Sequence, residues 1–295
     1  MNALTDSHAH LSLVAEELGA DALAAVLDSY ALAWGEGARG EPSSPGSRPA
    51  PGAALAQPSA QSLPTKSPAK PFLVDIGVEP GDFRGRFELS GERPFLRYAL
   101  GVWPGHPWVE DPAAALRGLE ESLEAAGKRA SAVGECGLDY HYERDSAAAQ
   151  RVLFEGQIEI AKRRSLPLIV HSRDAFSDTL AVLGSAGALP PTIIHCFGYG
   201  AAEAEAFLAL GCAISFAGNI TFKKSEGLNA ALLLVPAEKL LLETDSPYMN
   251  PTPRRGKPST SADIERTYAY VAEARKTDPA ELELTVSNNV QALFG

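Results

Sequence analysis

Eight short runs, apolar almost throughout and rich in β-branched residues, recur along the chain. They are ALTDSH (3–8), FLVDIGV (72–78), LRYALGVW (96–103), ASAVGEC (130–136), LPLIVHS (166–172), PTIIHCF (191–197), CAISFAG (212–218) and KLLLETD (239–245). Such runs suit strands buried on both faces. Patterns of helical period lie between them. Asp111-Pro112 opens one over AAALRGLEESLEAAGK, which Gly127 helps to end. SAAAQRVLFEGQIEIAKRR (146–164) carries apolar residues at helical spacing, and 259–275 forms another helix after the last run. Strands alternating with helices imply a parallel sheet, and eight is the number that closes a (β/α)8 TIM barrel. An open doubly wound sheet is the competitor, weakened because no glycine-rich phosphate loop follows the first strand. The expectation is an α/β fold, a single TIM-barrel domain over residues 1–295.

Residues 35–71 stand outside this pattern. They hold eight of the 22 prolines and almost no large apolar residue. Such a stretch cannot bury enough surface to offset its chain entropy. It reads as a disordered insertion between the first helix and the second strand, a tolerated surface insertion with a binding tail as the functional alternative. Without it about 260 residues remain, near the usual barrel length.

The formal net charge of −11 excludes a protein that coats nucleic acid over a wide surface, because phosphate neutralisation needs a basic face. A compact catalytic site acting on nucleic acid is still compatible with it. No apolar run is long enough for a membrane span, and no basic region followed by an apolar stretch opens the chain. Cys136, Cys196 and Cys212 are an odd number within apolar runs and read as reduced core thiols. A cytoplasmic location is expected, with no membrane partner and no obligatory protein partner.

Only six histidines occur, and four of them fall at or just beyond the ends of strand runs: His8, His10, His171 and His195. Glu135 ends the fourth run and Asp245 the eighth. In a barrel these positions share the rim on which active sites are built. Each alone has a bland reading, a hydrogen-bonded core histidine or an acid capping a loop. Together, imidazoles and carboxylates buried without a cation would leave uncompensated polar groups. Six ligands exceed the needs of one tetrahedral ion, so two divalent ions are expected; zinc, manganese and cobalt all suit the donor set. Cys136 and Cys196 adjoin ligands but are expected on the opposite strand face.

The motifs DSHAHL, GECGLDY, PLIVHSRDA, IHCFGYG and LLETDSPYMNP, in that order, resemble those of the TatD family of metal-dependent deoxyribonucleases, within the amidohydrolase-like barrels. The resemblance covers nearly the whole chain except 35–71. It implies that His8, His10 and Asp245 hold one metal, that His171 and His195 hold the other, and that Glu135 bridges both. The ions implied are magnesium, manganese or zinc. They would share a water that attacks phosphorus, with Asp245 as general base and Glu135 in the catalytic set. The activity implied is phosphodiester hydrolysis, 3′→5′ on single-stranded DNA.

The sequence also departs from the family. After the third strand the usual G-V-H-P-H is replaced by GVWPGHPW, so Trp103 stands for the first histidine and His106 sits one place late. Beyond strand 8, RRGKPSTSADI replaces Asn-Glu-Pro. These positions line the substrate mouth. Attack on a carbonyl, as in an amidase, a lactonase or an aminoacyl-tRNA deacylase, is therefore the alternative, and a non-enzymatic metal-binding scaffold is a third reading. For phosphate contact the candidates are Arg173, where a guanidinium could clamp oxygens bidentately, and Arg254 with Arg255 in the densest local basic group. Lys223, Lys224 and Lys257 read as solvated loop residues. Phe197, Tyr199, Tyr140, Tyr142 and Trp103 fall on rim loops, where they either stack bases or pack the loops together.

Overall fold

The eight apolar runs are eight parallel strands. In a computed structural model describing residues 3–36, 70–142 and 144–295, they are β1 (Asp6–Ala9), β2 (Leu73–Ile76), β3 (Leu96–Leu100), β4 (Ala130–Asp139), β5 (Leu168–Arg173), β6 (Thr192–Ile194), β7 (Ala213–Phe216) and β8 (Leu240–Leu242). Each pairs parallel with the next in chain order. Residues just after β8 return to β1: Ala9 bridges Ser246, the Asp245 N–H donates to His8 O at 2.9 Å, and the His10 N–H donates to Ser246 O at 2.9 Å. The sheet is thereby nearly closed, as the count of eight requires.

The helices are α1 (Leu11–Leu18), α2 (Ala20–Ala33), α3 (Phe83–Ser90), α4 (Pro112–Ala126), α5 (Ala147–Arg164), α6 (Phe176–Ser185), α7 (Ala201–Ala209), α8 (Glu226–Leu234), α9 (Ile264–Arg275) and α10 (Pro279–Phe294). α4 shows why the sequence signals work. The Asp111 carboxylate accepts from the Ala114 N–H at 2.9 Å, Pro112 takes the first position, and Gly127 follows the last turn. Its buried face is Ala115, Leu119, Leu123 and Ala126, one residue per turn. The single helix expected before the insertion is two, divided at Gly19, whose φ of +90° no other residue adopts easily. The helix expected from 259 begins at Ile264, after a short 3-10 turn capped by the Thr260 hydroxyl. The proline-rich insertion falls almost wholly outside the described residues. Its edges are held side by side, since the Trp34 Nε1–H donates to Pro71 O at 2.6 Å. No described helix is long and apolar enough to cross a membrane.

Two apolar clusters divide the core. The larger joins strand residues to the helices outside. The smaller collects Val74, Ala99, Ala132, Ile169, Ile193, Ala213 and Leu241 from successive strands and lies inside the barrel, with Val290 and Phe294 of α10 against it. This inner layer sets the site. Two residues beyond Ile169, Ile193 and Leu241, on the same face, stand His171, His195 and Glu243. In β4 the parity differs, because the register shifts between Val133 and Cys136. That irregularity turns Glu135 inward, three residues after the inward Ala132. β4 does not stop near Glu135 as expected. Gly137, Leu138 and Asp139 continue to pair with His171, Ser172 and Arg173. Gly137 permits this, with φ +135° and no room for a Cβ, which would fall 2.0 Å from His171 O.

Candidate metal centre

The six rim residues meet. The four atoms His8 Nε2, His10 Nε2, Asp245 Oδ1 and Glu135 Oε2 form one group. His8 Nε2 lies 3.3 Å from His10 Nε2, 3.4 Å from Glu135 Oε2 and 3.7 Å from Asp245 Oδ1. His10 Nε2 lies 3.6 Å from Glu135 Oε2 and 3.4 Å from Asp245 Oδ1. The other oxygen of the same carboxylate, Glu135 Oε1, faces a second group: His171 Nδ1 at 2.7 Å and His195 Nε2 at 2.9 Å, themselves 3.2 Å apart. One carboxylate therefore completes both groups, one oxygen to each.

Ligands roughly 2.0–2.1 Å from a tetrahedral ion stand about 3.4 Å from one another. Five edges of the first group run from 3.3 to 3.7 Å, so the donors already outline a space of ionic size. The second group is tighter and would open by a few tenths of an ångström. The two Nε2 atoms of His8 and His10 approach each other in a buried site, while the Nδ1 atoms of both rings have no hydrogen-bond partner among the described residues. Rings presented in this way suit metal ligation better than mutual hydrogen bonding. The residues present fit a divalent cation in each group.

Local backbone places the donors. Asp245 has φ +54°, a left-handed conformation that aspartate tolerates. It is fixed by its own N–H to His8 O and by the Tyr248 N–H, which donates to Asp245 O at 2.8 Å. His10 stands at the N-cap position of α1, its ring making no capping hydrogen bond. Behind it the Leu11 N–H donates to Asp75 Oδ1 at 3.2 Å, and Arg86 Nη1 donates to Asp75 Oδ2 at 2.8 Å. Asp6, fully buried, accepts from the Thr244 N–H at 2.9 Å and the Thr244 hydroxyl at 2.6 Å, tying β1 to the Asp245 turn. Burial pushes the Asp6 carboxyl up to about 7 despite these bonds.

The electrostatics are mutual. Burial works against the charged carboxylate of Glu135, but the imidazoles of His195, His171 and His8 hold it well below the usual range. Asp245 is lowered in the same way, burial being outweighed by His10, His8 and His195. Burial disfavours the imidazolium of His10, His171 and His195; carboxylates nonetheless raise all three, His195 furthest through Glu135. His8 goes the other way, lowered by burial and by His195, whose ring stacks on it at 3.9 Å. Ligation needs neutral imidazoles, so a divalent ion held here would compete with protons for these rings.

Two acids belong to the site that the strand-end argument did not single out. Asp139 Oδ2 meets His171 Nε2 at 3.1 Å, and its other oxygen accepts from the His141 and Tyr142 N–H groups. Glu243 Oε1 lies 3.4 Å from His195 Nδ1 and accepts from the Cys196 N–H at 2.7 Å. Each would orient its histidine from behind were that ring to ligate an ion. The spacing carried a signal: Asp139 stands four residues after Glu135 and Glu243 two before Asp245. Even separations share a strand face.

The thiol of Cys196 is not turned away as expected. Its φ of +42° brings the sulfur to hydrogen-bonding reach of Asp245, and burial together with that charge pushes the thiol well up. Cys136 is turned away, its thiol donating to Ile169 O. Arg173 ends β5 with its guanidinium 4.6 Å over the Tyr142 ring. Arg255 lies 4.4 Å over Phe222, while Arg254 is engaged by Asp263 at 2.7 Å. Lys223, Lys224 and Lys257 are exposed. His106 is exposed beside Glu110 at 3.2 Å rather than in the cluster.

The chain is similar to known proteins over most of its length. Residues 5–295 match the model of a family described as TatD related DNase. The chain is 36% identical over 208 residues to the uncharacterized metal-dependent hydrolase YcfH of Escherichia coli K12, covering 70% of this chain and 77% of that protein. An uncharacterized metal-dependent hydrolase TatD of Mycobacterium tuberculosis is 34% identical over 195 residues, 64% of this chain and 74% of its own. Among solved structures, YjjV, a TatD homolog from Escherichia coli K12, superposes with a TM-score of 0.70 at 30% identity, covering 76% of this chain and 86% of that one.

Proposed function

Because the chain belongs to the TatD-related DNase family of metal-dependent hydrolases, we propose that it cleaves phosphodiester bonds of DNA, as a 3′→5′ exonuclease on single strands. Two divalent ions would be held, one by His8, His10 and Asp245, the other by His171 and His195, with Glu135 between them. The observation that carries this reading is the split carboxylate, each oxygen of Glu135 belonging to a different donor group.

When bound, the ions supply Lewis acidity, lowering the pKa of a water and neutralising charge that develops on the phosphoryl oxygens. The chain supplies the rest. Asp245, kept anionic by His10, His8 and His195, accepts the proton of the attacking water as general base. Asp139 and Glu243 hold His171 and His195 in fixed orientation, so that the donors do not rearrange as charge builds. Arg173 and Arg255, each seated on an aromatic ring, present guanidinium groups to phosphates of the bound strand. Arg254 contributes less, since Asp263 already occupies it.

The test is metal-stripped protein reloaded with magnesium, manganese or zinc and given end-labelled oligonucleotides beside ester and amide substrates. Oligonucleotide degradation restored by one of these ions is the expected result. Turnover of Asp245→Asn should fall by roughly a hundredfold or more, with the fold intact. Ester or amide hydrolysis without DNA cleavage would transfer the site to carbonyl chemistry. Unchanged turnover in Asp245→Asn would remove it as the base.

A further inference from the structure

Five aromatic residues were candidates for stacking bases, and the structure separates them. Phe197 is buried among Tyr199 and Phe216. Tyr199 spends its hydroxyl on Ser172 and on the Ala175 N–H. Tyr140 donates to Asp178 at 2.6 Å. Tyr142 is 65% exposed, with Arg173 over one face, but its ring contact is His141 and none of the four clustered histidines. Trp103 is left, and the structure adds Tyr248, which is 54% exposed.

These two rings bear the same relation to opposite halves of the centre. Trp103 stands edge-on to His171, ring centroids 6.1 Å apart and planes at 73°. Tyr248 stands edge-on to His10, at 6.2 Å and 72°. One wall thus rises beside each donor group. Both are anchored. The Trp103 backbone N–H donates to Val78 O at 2.9 Å, and the Tyr248 backbone carbonyl accepts from the Ser259 hydroxyl at 2.6 Å. The indole lies directly on Gly105, where a Cβ would fall 1.8 Å from its Cζ3. The two departures in GVWPGHPW are therefore one: the tryptophan needs the bare backbone that the glycine after Pro104 supplies.

We propose that Trp103 and Tyr248 are the walls of a slot for the nucleobases on either side of the scissile phosphate, so that the enzyme requires an unpaired base next to the bond it cuts. This rests on the phosphodiesterase reading and narrows its substrate class. A phosphate seated between the two donor groups has one nucleoside on the His171 side and the other on the His10 side, where the two rings stand. Aromatic faces take any base, and stacking gives affinity without sequence preference. A base inside a duplex has both faces covered and cannot enter.

The experiment compares a single-stranded oligonucleotide with the same strand carrying an abasic tetrahydrofuran unit at the cleaved position, using wild type, Trp103→Ala, Trp103→Phe and Tyr248→Ala. The abasic strand should show a KM raised about tenfold or more in wild type. Trp103→Ala and Tyr248→Ala should raise KM on the intact strand by a similar factor with kcat nearly unchanged, and Trp103→Phe should restore most of it. Equal KM for the two strands in wild type would overturn the proposal. So would a fall in kcat at constant KM in Trp103→Ala, the signature of a disturbed His171. Tryptophan fluorescence keeps the slot testable should no ion support DNA cleavage. Quenching by the intact strand but not the abasic one, absent in Trp103→Phe, would sustain the slot while the nuclease reading failed. No quenching would end both.

Discussion

Replacing Arg86 by methionine isolates the buried charge beneath the first donor group. Arg86 is 3% exposed and Asp75 fully buried. The guanidinium donates to Asp75 Oδ2 at 2.8 Å, to Ala99 O at 2.9 Å and to Asp82 Oδ1 at 3.1 Å. Asp75 in turn holds the Leu11 N–H, one residue beyond His10. Breaking a buried pair by removing one partner costs about 3–5 kcal/mol, because the remaining charge has no compensation. At about 2.1 cal/mol/K of unfolding entropy per residue, each kcal/mol moves Tm of a 295-residue chain by roughly 1.6 °C, so Arg86→Met should melt about 5–8 °C lower. Burial already raises the Asp75 carboxyl, and Arg86 is the main influence lowering it. Without Arg86 the folded-state pKa rises further above the unfolded value. The resulting instability is then absent below the unfolded pKa and grows as pH rises through the folded one, so the gap from wild type should narrow on acidification. The double variant Arg86→Met/Asp75→Asn, which removes the stranded charge and keeps an acceptor for Leu11, should recover part of the loss. Thermal and urea unfolding followed by circular dichroism measure all three proteins. A loss below about 1 kcal/mol, or a double variant no better than the single one, would mean that Asp75 is not left as an uncompensated buried charge.

Asp139→Asn should weaken binding at the His171/His195 group by about 10–100-fold while leaving the first group's affinity near wild type, as read by calorimetric titration of the stripped protein. Metal affinity should rise with pH and fall as pH drops through the raised pKa values of His10, His171 and His195, because each must shed its proton to ligate. A pH-independent titration would contradict that. An ion at about a hundredfold over its Kd should add about 2.7 kcal/mol of stability, visible as a Tm rise that a chelator abolishes.

The barrel was legible because its strands are apolar on both faces and its helices amphipathic, so the eight runs could be read almost without turn signals. Boundaries were less legible where backbone geometry intervenes. Gly19 divides the first helix, and a register shift in β4 reverses the facing of Glu135 relative to a regular strand. The six candidate donors were legible because histidine is scarce here and strand ends converge in a barrel. Asp139 and Glu243 were hidden for the opposite reason: they lie inside the strand motifs, and only the geometry shows which imidazole each one holds. Cys196 eluded the face argument because its left-handed φ leaves the strand alternation on which that argument depends. The phosphate contacts were least legible. Nothing in RRGKP distinguishes Arg254, which is neutralised by Asp263 nine residues on, from Arg255, which rests on Phe222.

Manganese-soaked crystals measured at the manganese absorption edge address the centre itself. The split carboxylate of Glu135 predicts two anomalous peaks about 3.5–4 Å apart, one bounded by His8, His10 and Asp245, the other by His171 and His195. A single peak, or peaks remote from Glu135, would contradict a paired-ion site.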